Sequence, residues 1–101
     1  MLEKMTETEQ EAAPDVEAAI VVTNELGIHA RPAARLAQAA QHFEARITLE
    51  HEGVTADAGS ILDILSLAAG KGAVLTLRCY GRDAAQAAKV VRDLIMEGIP
   101  E

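Results

Sequence analysis

The chain has 101 residues, 50% hydrophobic and 25% charged, which suffices for one domain with a single core and leaves little for a second. Its formal net charge of −7 argues against a nucleic-acid partner, because duplex affinity rests on Lys and Arg neutralising phosphates. No apolar run approaches the roughly 20 residues that cross a bilayer, so membrane insertion is not expected.

The acid is unevenly spread. Six acidic residues stand against Lys4 within residues 1–17, a balance of −5, which leaves only −2 for the other 84 residues. Residues 1–15, MLEKMTETEQEAAPD, read as a solvated acidic N-terminal extension, and 16–101 as the folded domain. The single cysteine, Cys79, has no intramolecular disulfide partner. The start of the chain lacks a basic segment followed by an apolar one. Both features fit a reducing cytoplasm. With aromatic residues at 2%, the core has to be aliphatic.

Residues 17–23, EAAIVVT, carry the β-branched run of a strand, broken by Asn24-Glu25-Leu26-Gly27. From Ala30 to Gln41 strong helix formers dominate, and Ala33, Leu36, Ala37 and Ala40 recur at helical spacing as one apolar face. Pro32 sits in the first turn, where no intrahelical bond is lost. RITLE at 46–50 alternates, Glu52-Gly53 turns, and VTA follows at 54–56, which is a hairpin. Ser60 opens a second helix, ILDILSLAA, expected to run to Gly70. AVLTLRCY at 73–80 is the clearest strand. Ala84 to Glu97 forms a third helix, with Ala87, Val90, Val91, Leu94 and Ile95 on one face and Gly98 and Pro100 beyond its end. The order β-α-β-β-α-β-α predicts an α+β domain with a small, mainly antiparallel sheet and helices on one face.

Chemistry concentrates in Gly27-Ile28-His29-Ala30-Arg31-Pro32-Ala33-Ala34. His29 stands directly before a helix. The first N–H groups of a helix, here beginning with Ala30, lack partners within it, and the macrodipole places partial positive charge there. Arg31 adds a full charge and a planar fork of donors suited to phosphate. An imidazole that titrates near neutrality can accept a phosphoryl group beside such an anion site. The plainer reading is a cap or loop histidine.

NELGIHARPAA resembles the active-site signature of the HPr family, the histidine-containing phosphocarriers of the bacterial sugar phosphotransferase system. A second stretch, GSILDILSLAAGKG at 59–72, is similar to the family's second-helix segment, and the likeness extends over residues 17–98. The resemblance implies an open-faced β-sandwich with a four-stranded antiparallel sheet and three helices on one face. It implies that His29 accepts a phosphoryl group on Nδ1 from enzyme I, charged by phosphoenolpyruvate, with Arg31 and the Ala30 N–H attending it. His29 then passes the group to a histidine of an enzyme II A component for sugar uptake. Such a carrier has no turnover of its own, needs no cofactor and is monomeric by family habit. A nitrogen-related or regulatory paralogue, signalling through the same phosphohistidine, is the alternative output.

Ile61, Leu62, Leu65 and Ala33 match the family's partner-docking surface. Helical spacing offers a core role for this stretch instead, and Ile61 and Leu62 are the better candidates for exposure. Ser60 matches the family's regulatory serine, the target of HPr kinase/phosphorylase. As a sequence feature it is an N-cap, with Asp63 in the position of a capping box. Gly59 stands where the family often has lysine and Asp63 where it often has glycine, which adds repulsion against a phosphoserine.

Other signals carry less. His29, His42 and His51 do not have metal-ligand spacing, and no metal is expected. Gly70-Lys71-Gly72 lacks the rest of a phosphate-binding loop and reads as a turn. Cys79 falls in strand register as a packing residue. Arg35, one turn after Arg31, either widens the positive surface or is a plain solvated residue. A hydrolytic enzyme on this frame would need a second catalytic group, and none accompanies His29 and Arg31. A pure interaction module would use the second-helix surface alone.

Overall fold

In the computed structural model, which describes residues 13–100, alternating side chains build a four-stranded antiparallel sheet in the order β1-β4-β2-β3. Its strands are β1 (Val16–Val21), β2 (Arg46–His51), β3 (Val54–Asp57) and β4 (Val74–Tyr80). The helices are α1 (Ala30–Ala40), α2 (Ile61–Ser66) and α3 (Ala84–Glu97). The order is β-α-β-β-α-β-α, as the sequence predicts. The acidic segment up to residue 12 lies outside the described residues. Asp15, placed by sequence in that extension, is bound to the sheet: its N–H donates to the Cys79 carbonyl at 2.8 Å, and its carboxylate accepts the Gly81 N–H at 2.7 Å.

Period-two alternation divides the sheet into two faces. Ile20, Ile47, Leu49, Leu75, Leu77 and Cys79 are buried towards the helices. They meet Leu36 and Ala37 of α1, Ile64 of α2, and Ala87, Val91 and Ile95 of α3. Burying an aliphatic side chain of this size is worth about 1.5–3 kcal/mol, so this layer supplies the main stabilisation. On the opposite face, Arg78 Nε donates to Glu17 at 2.9 Å and Arg78 Nη1 to Glu50 at 2.7 Å. Glu50 and Glu17 push the guanidinium pKa further above its ordinary value. The Arg46 guanidinium lies 4.1 Å from the centroid of the Tyr80 ring. Charge and aromatic stacking thus finish the uncovered face.

Three expectations need correction. α2 ends at Ser66 rather than near Gly70. The Leu67 and Ala68 N–H groups bond three residues back, to Ile64 and Leu65, and Ala68 takes φ +51°, which turns the chain out of the helix. Val90 is 38% exposed, while Ala84 and Ala88 are buried. At about 100° per residue the stripe through 84, 87, 88, 91 and 95 leaves Val90 well to one side. β1 ends at Val21, two residues early, although the Val22 N–H still bonds to the Ala73 carbonyl.

Candidate functional site

Strand β1 ends in a tight turn that aims the chain at α1. The Gly27 N–H donates to the Asn24 carbonyl at 2.9 Å, and Gly27 takes φ +74°. A Cβ on Gly27 would lie 2.5 Å from the Ala69 oxygen, so glycine is required both by conformation and by space. The next N–H, of Ile28, donates to that same Ala69 carbonyl at 3.0 Å, and the Ile28 side chain is buried. His29 follows without slack.

His29 is the N-cap residue of α1, with φ −97° and ψ −165°. Its main chain performs the capping: its carbonyl accepts the Ala33 N–H at 2.8 Å, whereas its side chain makes no cap bond. The residue is half-buried, and its Nε2 is buried. Ala30 and Arg31, both exposed, are the first two helical residues, and Pro32 carries no N–H. The first turn of α1 holds no acidic residue of its own, and the macrodipole places partial positive charge there. Arg35 is exposed one turn on from Arg31 and extends the basic face. His29, the first N–H groups of α1 and the exposed Arg31 thus fall at one end of the helix, residue types able to hold a phosphoryl group.

α2 packs against α1 beside this corner. Ile61 is 41% and Leu62 78% exposed, whereas Leu65 is half-buried against the core. Ala33 has no exposed surface and cannot touch a partner, which corrects its place in the docking surface. It faces inward with Leu36 and Ala37 because all three lie on the apolar stripe of α1. Leu26, in the turn before Gly27, is also an exposed aliphatic residue, at 73%. Sequence reading passed over it, although an aliphatic residue at the tip of a four-residue turn has no neighbouring element to bury it.

Ser60 caps α2, its Oγ accepting the Asp63 N–H at 3.2 Å. The capping box is not reciprocal: the Asp63 carboxylate accepts the Asp57 N–H at 3.1 Å instead of that of Ser60. The Asp57 carboxylate in turn accepts the Gly59 N–H at 2.8 Å. Ser60 therefore lies between two carboxylates. The remaining histidines are engaged elsewhere, with His42 Nδ1 2.9 Å from the Gln38 carbonyl and His51 Nδ1 2.9 Å from that of Leu67. Among the described residues no group of three His, Cys, Asp or Glu side chains is placed to hold a metal. In the same range no helix is long and apolar enough to cross a membrane.

The family model for the PTS HPr component phosphorylation site matches residues 16–97. The phosphocarrier protein HPr of Bacillus anthracis str. Ames is 38% identical over 79% of this chain and 95% of its own, with a TM-score of 0.77. HPr from Thermoanaerobacter tengcongensis is 39% identical over 79% and 90%, with a TM-score of 0.76. The histidine-containing phosphocarrier protein of a Mycoplasma is 27% identical over 82% and 100%, with a TM-score of 0.75. Family model and fold together define a small phosphohistidine carrier. The chain belongs to the HPr family of the phosphotransferase system.

Proposed function

We propose that His29 is the phosphoryl acceptor, taking the group on Nδ1 from enzyme I charged by phosphoenolpyruvate and passing it to a histidine of an enzyme II A component in sugar uptake. The observation that carries this reading is the position of His29 as the N-cap residue of α1, half-buried, directly before the exposed Ala30 and Arg31. Burial of Nε2 supports Nδ1 as the reacting atom, because a partner has no approach to the inner nitrogen. With the ring proton on Nε2, the Nδ1 lone pair attacks phosphorus in line as the bond to the donor breaks. The three equatorial oxygens keep their charge throughout. The helix N-terminus, including the Ala30 N–H, and the Arg31 guanidinium stabilise that charge.

The same geometry suits a carrier without turnover. His29 is half-buried and Arg31 exposed, so a partner can reach a phosphoryl group held there. Leu26, Ile61 and Leu62 supply the docking rim for enzyme I and enzyme II A. A patch of this size supports transient rather than permanent association. Ser60 acts as the cap of α2. Its neighbours Asp57 and Asp63 oppose a phosphoserine, which sets HPr kinase/phosphorylase aside as a partner.

Incubation with enzyme I, Mg²⁺ and phosphoenolpyruvate, followed by intact-mass measurement, tests the reading. The expected result is one phosphoryl group that mild acid removes and that His29→Ala abolishes. Labelling at histidine in the His29→Ala protein, or none in the wild type, overturns it.

A further inference from the structure

Asn24 stands between β1 and α1, five residues before His29, and is only 8% exposed. A buried amide needs partners for both of its ends. Asn24 finds both on one residue. Its Nδ2 donates to the Ile99 carbonyl at 3.0 Å, and its Oδ1 accepts the Ile99 N–H at 2.8 Å. Next to it, the Thr23 hydroxyl donates to the Ile95 carbonyl at 3.0 Å. Ile99 and Ile95 are themselves buried, so this grip is on a fixed part of the molecule.

The main chain of Asn24 does something different. Its carbonyl closes the turn to Gly27, and the chain then passes without a spare residue through Ile28, held by Ala69, to His29. One residue thus clamps the segment after α3 with its side chain and sets the turn leading to the reactive histidine with its backbone. Glu25 and Leu26, both exposed, are all that separates the clamp from Gly27.

We infer that Asn24 is a positioning residue for phosphoryl transfer at His29: its two-way bond with Ile99 fixes the turn from which the imidazole is presented. This rests on the carrier reading of His29 given above. Transfer between two proteins requires the attacking nitrogen to be in line with the donor, and a displacement of about 1 Å is enough to cost up to roughly 100-fold in rate. Loosening the clamp shifts the ring relative to Arg31 and the start of α1 without removing any group from the corner.

The test uses the full chain. Asn24→Leu keeps the volume and removes both bonds. Asn24→Asp keeps an acceptor for the Ile99 N–H and loses the donor. Ile47→Val, in β2, provides a loss of stability away from the loop. Two quantities are read below the melting temperature: kcat/KM for phosphorylation by charged enzyme I, and the pH titration of the histidine ring signals by NMR. Asn24→Leu is expected to lower kcat/KM about 10-fold and to move the His29 titration, with His42 unmoved. Asn24→Asp should fall between Asn24→Leu and wild type, and Ile47→Val should change only the melting temperature. If Asn24→Leu melts earlier but keeps both kcat/KM and the His29 titration, the clamp is structural only and the inference fails. If wild type takes up no phosphoryl group, the carrier reading fails instead. The role in transfer falls with it, and the His29 signals then test only the geometric claim: a shift in Asn24→Leu sustains the placement of the ring by Asn24, and none overturns that as well.

Discussion

The carbonyl of Ala69 receives the N–H of Ile28 at 3.0 Å, which joins the residue before His29 to the turn that follows α2. The bond sets the histidine loop against the end of the second helix. It also explains why that helix stops early: Ala69 must point its oxygen out of the helical direction to make the bond, and Ala68 adopts φ +51° to let it.

Gly27→Ala should break this junction. The added Cβ would lie 2.5 Å from the Ala69 oxygen, and the backbone at φ +74° disfavours any side chain. A non-glycine residue in that region costs about 1–3 kcal/mol before the clash is counted. Urea unfolding should show a loss of at least that size, with a slower phosphoryl transfer to His29. A variant as stable as wild type would mean that the two segments do not approach so closely.

The apolar rim separates partner binding from folding. Leu62 is 78% exposed, so Leu62→Glu should leave the melting temperature within about 1 °C while raising KM for enzyme I several-fold. Leu65 packs against the core, so Leu65→Glu should instead destabilise the protein. Equal KM for Leu62→Glu and wild type would remove Leu62 from the docking surface.

Ser60→Ala removes the cap of α2 and should cost about 1 kcal/mol in stability, with labelling of His29 by enzyme I unchanged. The carboxylates around Ser60 make a second outcome measurable. In the double variant Gly59→Lys/Asp63→Gly, a positive charge is gained and a negative one lost next to the hydroxyl. Serine labelling by an HPr kinase should rise well above that of wild type. Strong labelling of the wild-type protein would show that Asp57 and Asp63 do not protect the site.

Cys79 is fully buried, and burial first, with Asp83 second, pushes its thiol up to about 11 from an ordinary 9.0. The folded state therefore favours the neutral thiol. Its contribution to stability is intact below pH 9 and is lost as the pH rises towards 11, because the unfolded chain releases the proton first. Cys79→Ala should flatten the fall in stability over that window. At pH 8 a thiol reagent should react with Cys79 at the rate of unfolding, and rapid labelling of native protein would contradict its burial.

Local patterns made much of this molecule readable in the sequence. The strands and the long helices α1 and α3 announce themselves through alternation and three-four spacing, and their ends fall within two residues of expectation. The histidine before α1 was legible because helix starts are marked by nearby residues. The misses have non-local causes. The end of α2 is set by Ile28, which needs the Ala69 carbonyl. Asn24 read as a loop breaker because its partner Ile99 lies 75 residues away. Ser60 did cap its helix, but the Asp63 carboxylate was drawn to the Asp57 N–H across the end of the hairpin. Ala33 is different: periodicity already placed it on the inward stripe of α1, and only family resemblance placed it outside.

Asp15 is fastened to β4 through Cys79 and Gly81, and β1 then runs six residues before the chain turns towards His29. At about 3.3 Å per residue the strand is a rigid spacer of roughly 20 Å. Anything carried ahead of Asp15, whether the natural acidic segment, an affinity tag or a fluorophore, is attached at the opposite end of the sheet from the imidazole. The molecule thus offers a built-in handle: it can be tethered to a surface from that side with its reactive corner facing the solution.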